Sequence, residues 1–249
     1  RKPAESGSPC EGGVLMKCFE KYDIEYNNAT AKGHGVYLYD YAQFSGAEKS
    51  YQVTQVSGRL GELVGTDDYK SNLKIQCIFG IISSQFMSHV TVIKQWLTGT
   101  GILKISDHQD LFYKVWKIDF GDIEREIRKF GQFTVTFTCT PYQFLDDGQQ
   151  VRTPDDLTYN PYDLCRPIYT INGSGSFTLT VNGNKMTGTV NGLLTIDTER
   201  MIAYNSEMVN QSNLITGNYE DIFIPHGEVS ISISSGDTLS IIPQWGYDV

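Results

Sequence analysis

Isolated histidines and paired acidic residues are the groups in this sequence that could do acid–base or metal chemistry. Each of the four histidines stands alone, without the second ligand at short spacing that a zinc site needs. The acidic pairs lie in polar, unpatterned segments, whereas glycoside hydrolysis needs two carboxylates that face one bond. We therefore interpret both sets as turn or partly exposed residues: His34, His89, His108 and His226, and Asp67-Asp68, Asp146-Asp147, Asp155-Asp156 and Glu220-Asp221.

Motifs that cradle phosphates or activate a nucleophile are absent from the sequence. It contains no Gly-x-x-x-x-Gly-Lys-Ser/Thr loop, no Gly-x-Gly-x-x-Gly turn and no Gly-x-Ser-x-Gly elbow. The sequence therefore predicts no catalytic residue, no cofactor and no metal site, and an enzyme is the least favoured class of function.

The cysteine pattern argues against a disulfide framework. The count is odd, the spacings are long and no Cys-x-x-Cys pair occurs. We expect reduced, mostly buried thiols in a protein made in a cytoplasm. The five residues are Cys10, Cys18, Cys77, Cys139 and Cys165.

Charge and hydropathy exclude two further classes of function. The 20 basic and 29 acidic residues give a net charge of −9, which argues against binding of nucleic acid through its phosphates. No apolar run approaches the roughly 20 residues of a membrane span, so we expect no membrane insertion. The length of 249 residues suggests about two domains.

Alternation of apolar and polar residues is the main structural signal. Successive side chains of a strand point to opposite faces, so each alternating segment offers one face to a core and one to water. We therefore predict a mainly β protein with antiparallel sheets. The clearest segments are residues 133–139, 177–181 and 229–233.

Residues 85–97 follow a helical period instead. Apolar side chains recur there at intervals of three and four residues, which predicts an amphipathic helix of about three turns lying on a sheet. Ser84 can cap its start and Gly99 can end it. The apolar positions are Phe86, Val90, Ile93 and Leu97.

Two features admit two interpretations each. Residues 123–128 could form a second short helix or the extension of a hairpin between two strong strand segments. A group of tyrosines near the start could form a protein interface, where tyrosine is enriched, or could reflect ordinary strand composition. These are Tyr22, Tyr26, Tyr37, Tyr39 and Tyr41.

A polar stretch with Pro and Gly divides the chain at residues 146–160, and we interpret it as an interdomain linker. The pattern of the chain after residue 160 predicts roughly eight short strands of a sandwich or barrel. Its three Asn-Gly pairs predict tight hairpin turns, because both residues tolerate positive φ. These pairs are Asn172-Gly173, Asn182-Gly183 and Asn191-Gly192.

The predicted organisation has four segments. Residues 1–15 are Gly/Pro/Ser-rich, and we expect a cloning remnant or a processed leader, with the natural chain beginning at or near Met16. Residues 16–145 form an N-terminal, β-sandwich-like domain with the one helix. Residues 146–160 are the linker, and residues 161–249 form the C-terminal domain.

Three motifs of the first half occur in a fixed order: the turn Gly58-Arg59-x-Gly61-x-Leu63, the helix, and the ending Phe137-x-Cys139-x-Pro141-Tyr142. The second half contains Asn160, Arg166-Pro167-Ile168, Ile171-Asn172-Gly173-Ser174-Gly175, Leu194-Thr195-Ile196-Asp197 and Ile242-Pro243-Gln244-Trp245. This order resembles the distal tail protein family of phages and prophages with long, non-contractile tails, over about residues 16–249.

The resemblance implies a structural protein of the virion's tail tip, made in the cytoplasm of a bacterial host. N-terminal domains of the family form a hexameric ring, sometimes a stacked double ring, around a channel through which DNA passes. The C-terminal domains are galectin-like β-sandwiches that project outward. The ring joins the tail tube protein to a tail-associated hub or lysin protein and, in some phages, to receptor-binding proteins.

Two departures narrow what the resemblance implies. A C-terminal sandwich of about ninety residues has no room for the inserted arm or carbohydrate-binding module of some members, so we expect the short, adaptor form. The second departure concerns the His/Asn/Arg and Trp/Glu constellation of galectins that bind sugar. Only His226 and Trp245 are candidates for it here, without the Asn and Arg companions at matching positions, which argues against sugar binding. The net charge of −9 is compatible with a channel wall that lets DNA slide.

The resemblance also suggests contact residues. Gly58, Arg59 and Gly61 are candidates for a protein-contact loop in which Arg59 pairs with a neighbour's carboxylate. The alternative is an intradomain turn with a locally satisfied arginine. The alternative function is a lectin-like module that recognises host cell-wall glycan through Trp245 and Tyr247, although Trp245 could instead pack in a core.

Overall fold

The computed structural model describes residues 22–55, 57–58, 60–83, 86–108, 110–127, 130–234 and 237–249. Contacts between Cα atoms divide the chain into two units, Arg1–Pro141 with Val249, and Tyr142–Asp248. Both units consist mainly of antiparallel strands, so the predicted mainly β class is confirmed.

The first unit contains one large antiparallel sheet and one hairpin. The sheet has the order β2-β1-β8-β9-β10-β7-β3, with β4 also paired to β7, while β5 and β6 pair with each other. The strands are β1 Ile24–Tyr26, β2 Ala29–Thr30, β3 Val36–Leu38, β4 Gln43–Ser45, β5 Lys49–Thr54, β6 Leu63–Lys70, β7 Leu73–Ile82, β8 Gly101–Ile105, β9 Leu111–Ile127 and β10 Phe130–Cys139.

One face of the large sheet is buried along β7 and β10. Alternate side chains of these strands are at most 4% exposed, and the threonines between them on β10 are half-buried. This is the alternation that the sequence predicts, with one face on the core. The buried residues are Leu73, Ile75, Cys77, Phe79 and Ile81 on β7, and Phe133, Val135, Phe137 and Cys139 on β10.

The helix α1, Phe86–Trp96, covers this core and confirms the predicted helix to within one residue at each end. Its buried side chains are those at the predicted spacing, together with Leu97 after its last turn. Gly99 adopts a φ of 76°, in the left-handed region that glycine favours after a helix. Ser84, the expected cap, lies outside the described residues.

The segment 123–128 is strand as far as it is described. Strand β9 continues to Ile127 and pairs with β10 from Phe130 onward, so the hairpin extension is the structure that forms. Arg128 lies outside the described residues. Long cross-strand pairing with β10 stabilises this segment in a way that a six-residue helix could not match.

The tyrosines near the start divide into two groups. Tyr22 and Tyr26 are at most 5% exposed, and the Tyr26 hydroxyl donates a hydrogen bond to the Gly99 carbonyl at 3.0 Å. Core packing therefore accounts for these two. The remaining three, Tyr37, Tyr39 and Tyr41, are 47–58% exposed on and after strand β3, at one edge of the sheet.

The second unit is built on a long hairpin. Strands β13 and β14 pair over fourteen residues each and form the centre of a six-stranded sheet in the order β15-β14-β13-β18, with β16 on β14 and β19 on β13. Strand β12 pairs with β17, and β11 pairs with β20. The strands are β11 Tyr142–Leu145, β12 Tyr159–Asn160, β13 Ile168–Val181, β14 Asn184–Asp197, β15 Ile202–Asn205, β16 Ile215–Thr216, β17 Gly227–Glu228, β18 Ile231–Ile233, β19 Thr238–Ile242 and β20 Gly246–Asp248.

Of the three Asn-Gly pairs, one forms the predicted hairpin turn. Asn182 and Gly183 both adopt positive φ, 48° and 90°, between β13 and β14. The prediction is wrong for the other two pairs, which lie inside the strands, with Gly173 opposite Gly192. The pairing of β13 with β14 continues through both pairs, and a Cβ at Gly173 would overlap the Asp237 carboxylate.

The predicted linker, residues 146–160, is instead a folded part of the second unit. It contains the 3-10 turns Asp147–Gln149 and Pro154–Asp156, and Leu157 is only 2% exposed within the unit's core. Thr153 and Asp156 form a reciprocal capping box at the start of the second turn. The polar composition of this stretch, which lacks a periodic pattern of apolar residues, therefore reflects short turns. The second unit begins at Tyr142, before this stretch.

We predict that Ile93→Ala lowers the free energy of unfolding by about 2–5 kcal/mol, because it leaves a cavity under α1. Ile93 is 1% exposed. The matched control is Val92→Ala on the same helix, since Val92 is 48% exposed and its truncation should cost less than about 0.5 kcal/mol. Urea unfolding measures both, and equal losses would contradict the assigned helix face.

We predict that stability falls as pH rises from about 9 to 12. Burial raises the pKa of the Cys77 thiol from 9.0 to about 12, with a further contribution from Cys139, and burial raises the pKa of the Cys139 thiol to about 12. The unfolded chain releases these protons near pH 9 while the folded chain keeps them, which favours unfolding.

The same burial should protect Cys77, Cys139 and Cys165 from Ellman's reagent at pH 8 until urea unfolds the protein. Urea titrations at pH 8, 9 and 10 measure the stability trend. Rapid labelling of these thiols in the native protein, or stability that rises above pH 9, would contradict the prediction.

Candidate functional site

The candidate contact loop lies at the tip of the β5–β6 hairpin. Gly58 and Gly61 adopt φ values of 83° and 89°, and no atom lies within 4 Å of a Cβ built at either. Backbone conformation rather than crowding therefore explains both glycines. Arg59 lies outside the described residues, and Leu60 between the glycines is fully exposed. A role for Gly58, Arg59 and Gly61 in a protein contact stays a prediction.

Trp245 lies in the core of the second unit with 8% of its surface exposed. The Arg152 guanidinium sits 4.4 Å from the centre of the indole ring, a cation–π distance. An Asp147 carboxylate oxygen accepts a hydrogen bond from Arg152 Nη2 at 2.8 Å. The indole therefore has little surface for a ligand, in line with the packing alternative.

Tyr247, in contrast, is 43% exposed on strand β20. The half-buried Tyr162 joins it to Trp245: ring centres are 5.6 Å apart for Tyr162 and Tyr247, at 86°, and 5.3 Å apart for Tyr162 and Trp245. Burial raises the pKa of the Tyr162 hydroxyl above its ordinary value, with smaller contributions from Tyr247 and Asp147. We call Tyr162, Trp245, Tyr247 and Arg152 the aromatic cluster.

A second pair of rings adjoins the aromatic cluster through the backbone of Tyr162. The His226 Nδ1 lies 3.0 Å from the Tyr162 carbonyl oxygen. The His226 ring contacts Tyr159 edge-on, with 6.2 Å between ring centres, and Tyr159 is 54% exposed. We call Tyr159, His226, Tyr162 and Tyr247 the ring row.

Unpaired buried donors concentrate beside the aromatic cluster. In the described part of the chain, four buried side-chain atoms have no hydrogen-bond partner, and three are N–H donors on Gln149, Arg152 and Trp245. Native proteins contain few such groups, and each needs an explanation. Gln149 follows Gly148, at which a Cβ would overlap the Trp245 backbone.

The buried amide of Asn160 holds the backbone that carries the ring row. Its Nδ2 donates to the carbonyls of Asp163 at 2.9 Å, Pro225 at 3.1 Å and Ile224 at 3.4 Å, and its Oδ1 accepts from the Tyr162 amide at 3.0 Å. Asn160 is 1% exposed. One amide therefore ties the turn after β12 to the segment before β17.

The net charge is confined to one unit. The sequence places sixteen basic and sixteen acidic residues in 1–141, but four basic and thirteen acidic residues in 142–248. The surface around the ring row therefore belongs to a strongly acidic unit, which repels polyanions.

The described residues contain neither a cluster of metal ligands nor a membrane-spanning helix. No group of three or more His, Cys, Asp or Glu side chains in those residues is placed to hold a metal ion. Nor does any helix there have the length and apolar character needed to cross a bilayer.

The fold is similar to that of the Dit protein (gp 19.1) of phage SPP1, with a TM-score of 0.63. The match covers 88% of this chain and 97% of that chain, at 10% sequence identity. The chain has a Dit-like fold. The SPP1 protein is described as a paradigm of the hub adsorption apparatus in phages that infect Gram-positive bacteria. No protein-family model and no curated protein sequence matches the chain.

We predict that Asn160→Asp lowers the free energy of unfolding by at least about 2 kcal/mol at pH 7, because a carboxylate cannot donate the hydrogen bonds that the Asn160 amide gives to these backbone carbonyls. Urea unfolding measures the loss. The control is Asn213→Asp, at an exposed position of the same unit, which adds the same charge. Equal effects of the two variants would contradict the role assigned to the Asn160 amide.

Proposed function

We propose that this chain is a structural protein of the tail tip of a phage with a long, non-contractile tail, and that it belongs to the distal tail protein family. The observation that carries the proposal is the Dit-like fold, which extends over most of both chains. About 30 residues of this chain remain outside the match, too few for an inserted carbohydrate-binding module, which supports the short, adaptor form. The C-terminal unit then corresponds to the galectin-like sandwich.

The proposed assembly is a hexameric ring, or two stacked rings, made by the N-terminal units. Strand β3 lies at one edge of the large sheet, and its exposed Tyr37 and the following Tyr39 are suited to a protein contact. The hairpin β5–β6 is a second candidate contact, because an isolated two-stranded hairpin is marginally stable without a partner.

The proposed partners are the tail tube protein on one side, a tail-associated hub or lysin protein on the other, and receptor-binding proteins. DNA would only pass through the channel, and the protein itself would catalyse no reaction. The first unit, which would line the channel, has equal numbers of acidic and basic residues.

We expect light scattering on a sizing column to give a mass of about 167 kDa, six times the 27.9 kDa of one chain, or about twice that value for a double ring. The mass should stay constant over a tenfold range of concentration. A mass near 27.9 kDa at every concentration would contradict the closed ring.

The contribution of the β3 edge can be tested separately. The double variant Tyr37→Ser, Tyr39→Ser should lower the measured mass toward that of one chain, since it removes both exposed rings. Tyr159→Ser is the matched control, because Tyr159 is as exposed as Tyr39 but belongs to the other unit, and it should leave the mass unchanged. The same change in both variants would exclude this edge as the ring contact.

A further inference from the structure

The outer face of the large sheet in the first unit carries an exposed tryptophan at a β-bulge. Strand β9 has one more residue than β10 at this point, Trp116, between the pairs that Val115 and Lys117 make. The Trp116 Nε1 donates a hydrogen bond to the Thr140 hydroxyl at 2.7 Å, and the residue is 51% exposed. The indole is therefore held in one orientation while half of its surface is open, and tryptophan often anchors protein contacts.

Lysines surround Trp116 on the same face of the sheet. Lys117 and Lys74 lie on either side of Thr138, and Lys114 lies opposite Ile102, which is 46% exposed. Residues on both sides of Thr138 and of Lys114 along their strands are buried, so these two and their cross-strand partners face outward. We call this surface the basic face: Trp116, Ile102, Lys74, Lys114 and Lys117.

The second unit displays apolar side chains on a strained turn. Residues 205–209 follow β15, and the Asn205 Oδ1 accepts hydrogen bonds from the amides of Glu207 at 3.1 Å and Val209 at 3.0 Å. Met208 adopts a φ of 61°, in the left-handed region that costs methionine more free energy than glycine or asparagine. Burial does not offset this cost, because Met208 and Val209 are 67% and 51% exposed. Strain of this kind is typical of functional positions. We call Glu207, Met208 and Val209 the methionine tip.

The basic face and the methionine tip are complementary in charge and in apolar character. Three lysines of the basic face outnumber Asp119, which pairs with Lys117 at 2.8 Å. The tip contributes the Glu207 carboxylate, in a unit with thirteen acidic and four basic residues. A methionine thioether makes favourable contacts with aromatic rings, and Trp116 offers such a ring. Because every copy of the chain carries both surfaces, a second copy supplies the partner that each surface needs.

We propose that the methionine tip of one copy docks on the basic face of a neighbouring copy, with Met208 against the Trp116 ring and Glu207 beside Lys117. The contact joins two different surfaces, so each copy both gives and receives it, and its repetition produces a ring or a filament. This inference rests on the proposed function only in requiring that copies assemble. It adds a contact made by the second unit to those proposed above for the N-terminal units.

Cysteine cross-linking of the intact protein tests this contact. The double variant Lys117→Cys, Glu207→Cys, oxidised with copper phenanthroline, should give a ladder of linked chains on a non-reducing denaturing gel, because each bond joins one copy to the next. The matched control is Lys94→Cys, Glu207→Cys, since Lys94 is an exposed lysine of α1, which covers the opposite face of the sheet. The control should give no more linked product than either single variant.

The gel and the mass by light scattering separate this contact from the proposed ring. Equal products in the two double variants, or a bond within single chains only, would overturn the contact even where the ring mass is observed. A ladder specific to Lys117→Cys, Glu207→Cys without the ring mass would support the contact and contradict the closed ring. A single-chain mass without a ladder would contradict both.

The variant Met208→Gly distinguishes docking from folding. Relief of the backbone strain should raise the urea midpoint of the dilute protein, whereas loss of the side chain should raise at least fivefold the concentration at which half of the chains are assembled. Trp116→Ala should weaken assembly at least as much, and Val92→Ala, at an exposed position of α1, should leave it unchanged. Unchanged assembly in both Met208→Gly and Trp116→Ala would overturn the proposal.

Discussion

The second unit depends on one buried side-chain amide. Asn160 has two N–H groups and one carbonyl, and it divides them among the backbone of two segments that are about 65 residues apart in sequence. Neither segment has enough regular structure to hold itself, since β12 and β17 are two residues long. Burying an amide costs free energy unless every polar group on it is paired. The Asn160 amide therefore stabilises the two segments only at the separation at which it can hydrogen-bond to both.

The sequence predicts this fold well where the determinants are local. Period-two alternation along β10 and the helical spacing along α1 depend only on which face of an element meets the core, and both predictions are confirmed. Prediction from the sequence fails where a residue far away along the chain decides the local structure. A Cβ at Gly173 would overlap the carboxylate of Asp237, more than sixty residues later, and no local pattern contains that information. The interpretation of residues 146–160 as a linker is wrong for a related reason, because Leu157 is buried by parts of the unit that follow it.

The candidate site shows the same division. Tyr247 can be picked out from the sequence as an aromatic residue near the closing strand, but its neighbour Tyr162 lies 85 residues earlier, and Arg152 lies in the stretch interpreted as linker. Composition also gives the net charge but not its distribution between the units, which follows only when the boundary at Tyr142 is known. Spatial grouping of this kind needs the tertiary structure.

The three described cysteines are buried and held as neutral thiols, which bears on the proposed role of the chain as a virion protein. Such a protein folds in a reducing compartment and then spends its functional life in an oxidising one. Thiols that neither ionise nor meet solvent form no bridge during that passage and are poor targets for oxidants. For these three described thiols, the proposed passage from the cell into the virion therefore involves no oxidative step.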